Sequence, residues 1–438
     1  MRLGRTDNNL FTREQVEKVA VDLTGYQTEL ARAMMQFDYQ RPENSLHLPF
    51  DQQIIEKAQA VLDSKGIFRQ PPRVIFVVGI GGSNLAAKAV VDSLPRSDRP
   101  ELVWLDTLDD VQITHAETLI RDQIRTASDY LIFIISKSGA TTETLANYAI
   151  LEALLEREGL EPLSRTIAIS NPASVLTKQA EEKEVDTLTI PVQVGGRFSA
   201  FSAAGVAVLL AAGYDVAAWR RGAQEWLTKT ATARAERNEA LLLAASKYLA
   251  YENELTVFDQ FIFAPELETW GKWYRQLLAE SLGKSPENSG NTKVGLLDQS
   301  GINVLPTVSI GTTDLHSVGQ LYLGGARNIM TTFVITGVEK SAFIPKRISF
   351  RLDQVGLEGK SLQEIKRAII VGTQTAYRDA KRPFDTLELK KLDEYELGVL
   401  MQMSMVEIMY LAKLLKVNAF DQPNVEGYKE ATRKILAK

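Results

Sequence analysis

Up to residue 66 the apolar positions recur mainly at steps of three and four, the spacing of helices buried along one face. Residues 12–21 and 50–61 are the clearest cases. From about residue 72 the pattern changes. Short β-branched runs at 73–78, 102–105, 130–135 and 165–169 alternate with helical stretches at 84–93, 116–125, 142–158 and 174–184. The run "LTIPV" (188–192) adds one more strand candidate. The runs are apolar at nearly every position, as expected of parallel strands covered on both sides by helices. Helical spacing dominates 200–250. A second alternating series then appears, with strands at 260–264, 302–310 and 331–335 and helices near 270–283 and 316–323. The chain ends in helical patterns at 392–416 and 424–437. The fold class expected is α/β. It has two domains, each a parallel sheet flanked by helices, with helical extensions at both ends. The divisions are 1–66 (helices packing on the domains), 67–215, and 216–438 with a C-terminal helical arm.

Two strand-to-helix corners carry candidate chemistry. The first strand runs into "VVGIGGSNLAAKAVVDSL", where Gly79, Gly81 and Gly82 permit a tight turn and Ser83 is placed to cap the next helix. Free N–H groups and the helix dipole favour an anion there. The same stretch begins like a dinucleotide fingerprint, but Asn84 stands where the third glycine belongs. Asp106 follows at the end of the next strand, so a dinucleotide-dependent dehydrogenase is a rival reading. The second corner is "SKSGATTETLA", with hydroxyls at Ser136, Ser138, Thr141, Thr142 and Thr144. One hydroxyl suffices for a cap. Five at the carboxyl end of a parallel strand suit the oxygens of a phosphate ester, and together the corners read as a cradle for one phosphomonoester. A non-enzymatic phosphosugar sensor would share both corners.

Composition narrows the classes. A net charge of −5 carries no basic footprint for nucleic acid. The first residues, "MRLGRTDNNLF", lack the apolar core of a secretory signal. The most apolar stretch, 203–213, is shorter than the ~20 residues a membrane helix needs, so neither nucleic acid nor membrane is an expected partner. With no cysteine there is no disulfide and no thiolate metal site. The only histidines, His47, His115 and His316, are far apart in sequence. A cytoplasmic protein without metal or cofactor is expected.

Six segments together resemble the glucose-6-phosphate isomerase family of bacterial type: "GIGGS", "SKSGATTET", "GGRFSAFSAAG", "AESLGKS", "TTDLHSVGQ" and "FDQPNVEGYK". They stand in the family's order from residue 79 to residue 429. The resemblance implies two sugar-isomerase (SIS) type domains and a homodimer. It also implies interconversion of glucose 6-phosphate and fructose 6-phosphate in glycolysis and gluconeogenesis, by proton transfer between C2 and C1 through a cis-enediol.

The resemblance further implies that Gly82 and Ser83 contact the sugar phosphate and that Ser136, Lys137, Ser138 and Thr141 form the phosphate loop. Arg197 matches the arginine near the reacting carbons, Gln276 a substrate-binding glutamine, and Glu280 the catalytic glutamate. His316 matches the ring-opening histidine, which the family takes from the partner subunit. Gln422 and Lys429 match the C-terminal substrate-binding pair, and whether His316 or Lys429 opens the ring stays open. Two positions depart from the family: Ala140 where Thr is common, and Asn424 where Gly is usual after the proline.

The residues support the chemistry independently. Gln276 and Glu280 are four apart and share a helix face. Trp270, Trp273, Leu277, Leu278 and Leu282 around them argue for partial burial. Gly195 and Gly196 let the backbone bring Arg197, a permanently charged fork, close to an enediolate oxygen.

Overall fold

The structure, a computed structural model, describes residues 1–4, 10–284, 301–337, 340–345 and 356–437. A two-residue strand, β1 (Arg2–Leu3), precedes helices α1 (Arg13–Asp22), α2 (Thr24–Met34) and α3 (Gln52–Ser64). Thr12 starts α1 with a reciprocal cap: its hydroxyl accepts from the Gln15 N–H, and the Gln15 side chain accepts from the Thr12 N–H. Then come β2 (Val74–Val78), α4 (Leu85–Ser93), β3 (Glu101–Leu105), α5 (Asp110–Gln123), β4 (Tyr130–Ile135), α6 (Thr142–Arg157), β5 (Thr166–Ser170), α7 (Val175–Glu182) and β6 (Asp186–Thr189). These strands form one parallel sheet in the order β3-β2-β4-β5-β6. Every residue of β2, β4 and β5 is buried, so these strands appear in the sequence as unbroken apolar runs.

Helices α8 (Ala203–Ala211), α9 (Val216–Ala231) and α10 (Glu239–Glu252) follow. The second series is β7 (Val257–Ile262), α11 (Glu268–Leu282), β8 (Leu305–Ile310), α12 (Gly319–Gly324), β9 (Ile329–Thr336), α13 (Leu362–Asp379) and β10 (Phe384–Leu389). Its sheet order is β1-β10-β9-β7-β8, parallel except for β1, which pairs antiparallel with β10. Thus the N-terminal extension is not purely helical. A two-residue strand has no periodicity of its own, and only its partner reveals it. The pattern also passes over α13 and β10. In β10, "FDTLEL", polar residues at Asp385, Thr386 and Glu388 interrupt the apolar run. Helix α5 begins six residues before the expected stretch, because Asp109 caps it by accepting from the Val111 N–H.

The chain closes with α14 (Glu394–Leu414) and α15 (Glu426–Leu436). Helix α14 corrects the expectation that no segment reaches membrane-spanning length. It has the length and hydropathy to span a bilayer, yet it is packed inside the protein against α9, α10 and α11. Its Glu407 is fully buried and paired with Lys247 of α10 and the hydroxyl of Tyr274 of α11. One continuous apolar core runs from α1 through both sheets to α14, so the two sheets are joined by buried surface.

Candidate active site

Strands β2 and β4 are neighbours, with Val78 beside Ile134, so the turns that follow them open side by side at one sheet edge. A Cβ on Gly79 would lie 2.8 Å from the Ile135 carbonyl oxygen. Beyond it, a 3-10 turn spans Gly81–Ser83, and Gly81 is left-handed at φ 61. A Cβ on Gly82 would lie 2.3 Å from the carbonyl carbon of Gly196, so this corner presses directly against the turn Gly196–Phe198 that carries Arg197. Ser83 was expected to cap α4. It ends the 3-10 turn instead, and Asn84 holds the N-cap position without a side-chain cap. The Asn84 amide donates to Asp106 Oδ2 at 3.1 Å, and the Gln112 amide donates to Oδ1 at 3.1 Å. Asp106, which a dinucleotide would need for its ribose, is thus already engaged on both oxygens.

In the second corner, the hydroxyls of Ser136 and Thr141 are 2.9 Å apart. The Gly139 N–H donates to Ser136 Oγ at 3.1 Å, and the Ala140 N–H to Ser138 Oγ at 3.3 Å. Thr141 occupies the N-cap position of α6, but its side chain makes no capping bond. The first N–H groups of α6 therefore face the corner without a side-chain acceptor, with the positive end of the dipole behind them. Lys137 is half-buried. Burial first, and the Arg197 guanidinium second, push its ammonium below the ordinary lysine pKa. Lys137, near enough to Arg197 to feel its charge, stands at this corner with the helix N-terminus.

Arg197 itself is 2% exposed, and burial lowers its pKa while Glu280 and Asp421 oppose the shift. All five of its N–H donors are used. Nε donates to Ser281 Oγ at 2.9 Å; Nη1 donates to Glu280 Oε2 at 3.3 Å and Gln422 Oε1 at 3.0 Å; Nη2 donates to the carbonyls of Ala419 (2.6 Å) and Asp421 (2.8 Å). Glu280 is steadied from its other oxygen, which accepts from the Gln276 amide at 3.0 Å. The Gln276 side chain also lies over Gly81, where a Cβ would come within 2.9 Å of Nε2. Glu280 remains 33% exposed, so its carboxylate is both anchored and reachable. The arrangement offers a base, a cation beside it, and an anion cradle one turn away.

The structure therefore gathers Gly82, Arg197, Gln276, Glu280 and Gln422 into one contacting group, beside the loop of Ser136, Lys137, Ser138 and Thr141. It does not bring in His316 or Lys429. His316 ends the 3-10 turn Thr313–His316, just past the carboxyl end of β8. Helix α11 starts after the carboxyl end of β7 and runs back along the sheet, so Glu280 in its last turn lies at the opposite edge. From Glu268 to Glu280 the helix alone advances about 18 Å. Lys429 lies on α15, which buries none of its residues, and its ammonium pairs with Glu426 at 2.8 Å.

Three contributors escape a reading of the sequence: Ser281 and the carbonyls of Ala419 and Asp421. Ser281 had a signal, since it adjoins Glu280; a carbonyl has none, because every residue carries one. Among the described residues, no group of three or more His, Asp or Glu side chains is gathered as a metal site.

The family model described as phosphoglucose isomerase matches residues 52–438. A glucose-6-phosphate isomerase of Lacticaseibacillus casei is 31% identical over 380 residues, covering 84% of this chain and 80% of the relative. Among solved structures, a hypothetical protein from Thermus thermophilus is similar at a TM-score of 0.83 and 26% identity, covering 100% of both chains. A glucose-6-phosphate isomerase from Chlamydia trachomatis shares the fold at a TM-score of 0.75, with 19% identity, 99% coverage of this chain and 92% of that one.

Proposed function

The chain belongs to the phosphoglucose isomerase family, and on that premise we propose that it is an aldose–ketose isomerase interconverting glucose 6-phosphate and fructose 6-phosphate, as in glycolysis and gluconeogenesis. The observation that carries the mechanism is the contact of Arg197 with Glu280 beside the Gly81–Ser83 corner. In this reading the hydroxyls of Ser136, Ser138 and Thr141, with Ser83, the α6 N–H groups and Lys137, hold the phosphate. The open-chain sugar then extends toward α11. The Glu280 carboxylate removes the C2 proton of the aldose, and the electron pair forms the C1–C2 double bond of a cis-enediol. Arg197, with its five N–H groups already engaged, contributes as a fixed positive charge beside the oxygen on which negative charge develops. Glu280 then returns the proton to C1 as the C2 hydroxyl becomes the ketone, and the proton given up by the C2 oxygen is balanced by the one taken up at O1, so that the aldehyde oxygen ends as the C1 hydroxyl. Gln276 and Gln422 orient the hydroxyls.

Ring opening needs an acid–base group near O5, and His316 of the same chain is at the far edge of the second sheet. We infer that the partner subunit's His316 completes each site in a homodimer. Lys429 would serve the same end of the sugar if α15 turned toward the site.

The test is direct. Purified protein incubated with fructose 6-phosphate and a chelator, without added cofactor, is expected to produce glucose 6-phosphate. Glu280→Gln is expected to bind the sugar phosphate but lose about 10³-fold or more in kcat. Turnover that survives this substitution would remove Glu280 as the base.

A further inference from the structure

Arg197 is oriented largely by a loop, and that loop is itself tethered. Two of its five hydrogen bonds run to the backbone carbonyls of Ala419 and Asp421, and a third to Gln422. The segment 418–422 follows α14 and has no regular structure. Asn418 braces it internally, accepting from the Phe420 N–H at 3.0 Å and donating to Asp421 Oδ2 at 3.1 Å.

Its tie to the rest of the site is Lys284. All three ammonium donors of Lys284 are engaged there: with the Asn418 carbonyl, with the Asp421 carbonyl at 2.8 Å, and with Asp421 Oδ1 at 2.6 Å. The Asp421 carbonyl thus accepts from Arg197 and from Lys284 at once. The lysine side chain is only 8% exposed. The sequence arranges this locally. Ser281 and Leu282 end α11. Gly283 makes a turn in which a Cβ would lie 2.8 Å from the Ala279 carbonyl oxygen, and the chain then directs Lys284 toward the loop. The ammonium that holds the loop stands four positions after the carboxylate that Arg197 meets.

Taking Glu280 as the base and Arg197 as its cation, the reading proposed above, we propose that Lys284 is a positioning residue: it pins the 418–422 segment to the end of α11 and so holds the Arg197 guanidinium in register with Glu280. It touches no reacting atom. Its removal leaves the phosphate loop intact, so the loss falls on the chemical step rather than on substrate capture.

Lys284→Met is compared with wild type for kcat, for KM with fructose 6-phosphate, for thermal melting, and for the NMR signal of the Arg197 Nε–H, identified by its absence in Arg197→Lys. The expected result is a cooperative melt and kcat lowered about tenfold or more with KM changed much less. The Arg197 Nε–H should exchange faster with water, and Lys284→Arg should recover a substantial part of kcat. A kcat within about twofold of wild type, with an unaltered Arg197 signal, overturns the proposal. So does activity lost only in proportion to folded protein. If Lys284→Met does not fold, Lys284→Gln, which keeps a donor without the charge, is read by the same criteria. Wild-type turnover is measured first. Its absence would remove the isomerase reading, whereas the Arg197 signal judges the tether independently of turnover.

Discussion

Arg197 and Lys137 are two cations that their surroundings make unlike. Arg197 has every donor satisfied and stays charged whatever happens nearby. Lys137 has no ion pair among the described residues, is half-buried, and faces that guanidinium, so its ammonium is the weaker cation of the two. The sign of its pH effect follows. Below its lowered pKa the side chain is charged and attracts a phosphate dianion; above it the side chain is neutral and the attraction is gone. KM for fructose 6-phosphate is therefore expected to climb as pH rises through a value below the ordinary 10.5, with kcat less affected. Lys137→Arg, which does not deprotonate, should flatten that limb. Profiles of KM between about pH 7 and pH 10 for both proteins check it, and superimposable profiles would detach Lys137 from the phosphate.

Among the elements, α11 carries most of the site. Gln276, Glu280 and Ser281 fall on its last turns, while Trp270, Trp273, Tyr274, Leu277 and Leu278 bury the other faces. Tyr274 is further held by the buried Lys247–Glu407 pair, so the helix has little freedom to rotate. Against this rigid helix stand two turns, Gly81–Ser83 and Gly196–Phe198, in backbone contact at Gly82. That contact admits no side chain. Gly82→Ala is expected to separate the turns by the width of a methyl group, displacing both the anion corner and Arg197. A misplacement near 1 Å costs about 10²-fold, so kcat/KM should fall by about that factor while circular dichroism keeps the native pattern. Kinetics close to wild type would show that the two turns need not touch.

At the scale of the molecule, the β7–α11–β8 unit puts Glu280 and His316 at opposite edges of the second sheet, since a crossover helix runs antiparallel to its strands. One chain therefore cannot close the proposed site. In the proposed homodimer, neither Glu280→Gln nor His316→Ala should regain activity alone. After mixing, unfolding and refolding, half of the dimers are hybrids, and each hybrid carries one fully native site. About one quarter of wild-type activity is the expected recovery. No recovery, with hybrids demonstrated by mass spectrometry, would mean that His316 does not act across the interface.

Much of this was legible in the sequence, and the reason differs by feature. The first sheet was readable because its central strands are buried on both faces and carry almost no polar residue. The two corners were readable because glycines and hydroxyls there serve local turns and local N–H groups. The spacing of Gln276 and Glu280 was readable because four residues return a helix to the same face. Strand β10 was not, because Asp385 and Glu388 take their meaning from neighbouring strands, and β1 exists only as the partner of β10. The tertiary structure alone decided that Arg197 meets Glu280 and Gln422, that backbone carbonyls of 419 and 421 hold it, and that His316 is turned away from its own Glu280. The Arg197 contacts join segments more than eighty residues apart, two of them through anonymous backbone carbonyls, and the place of His316 follows from helix direction. No local pattern of side chains encodes either one.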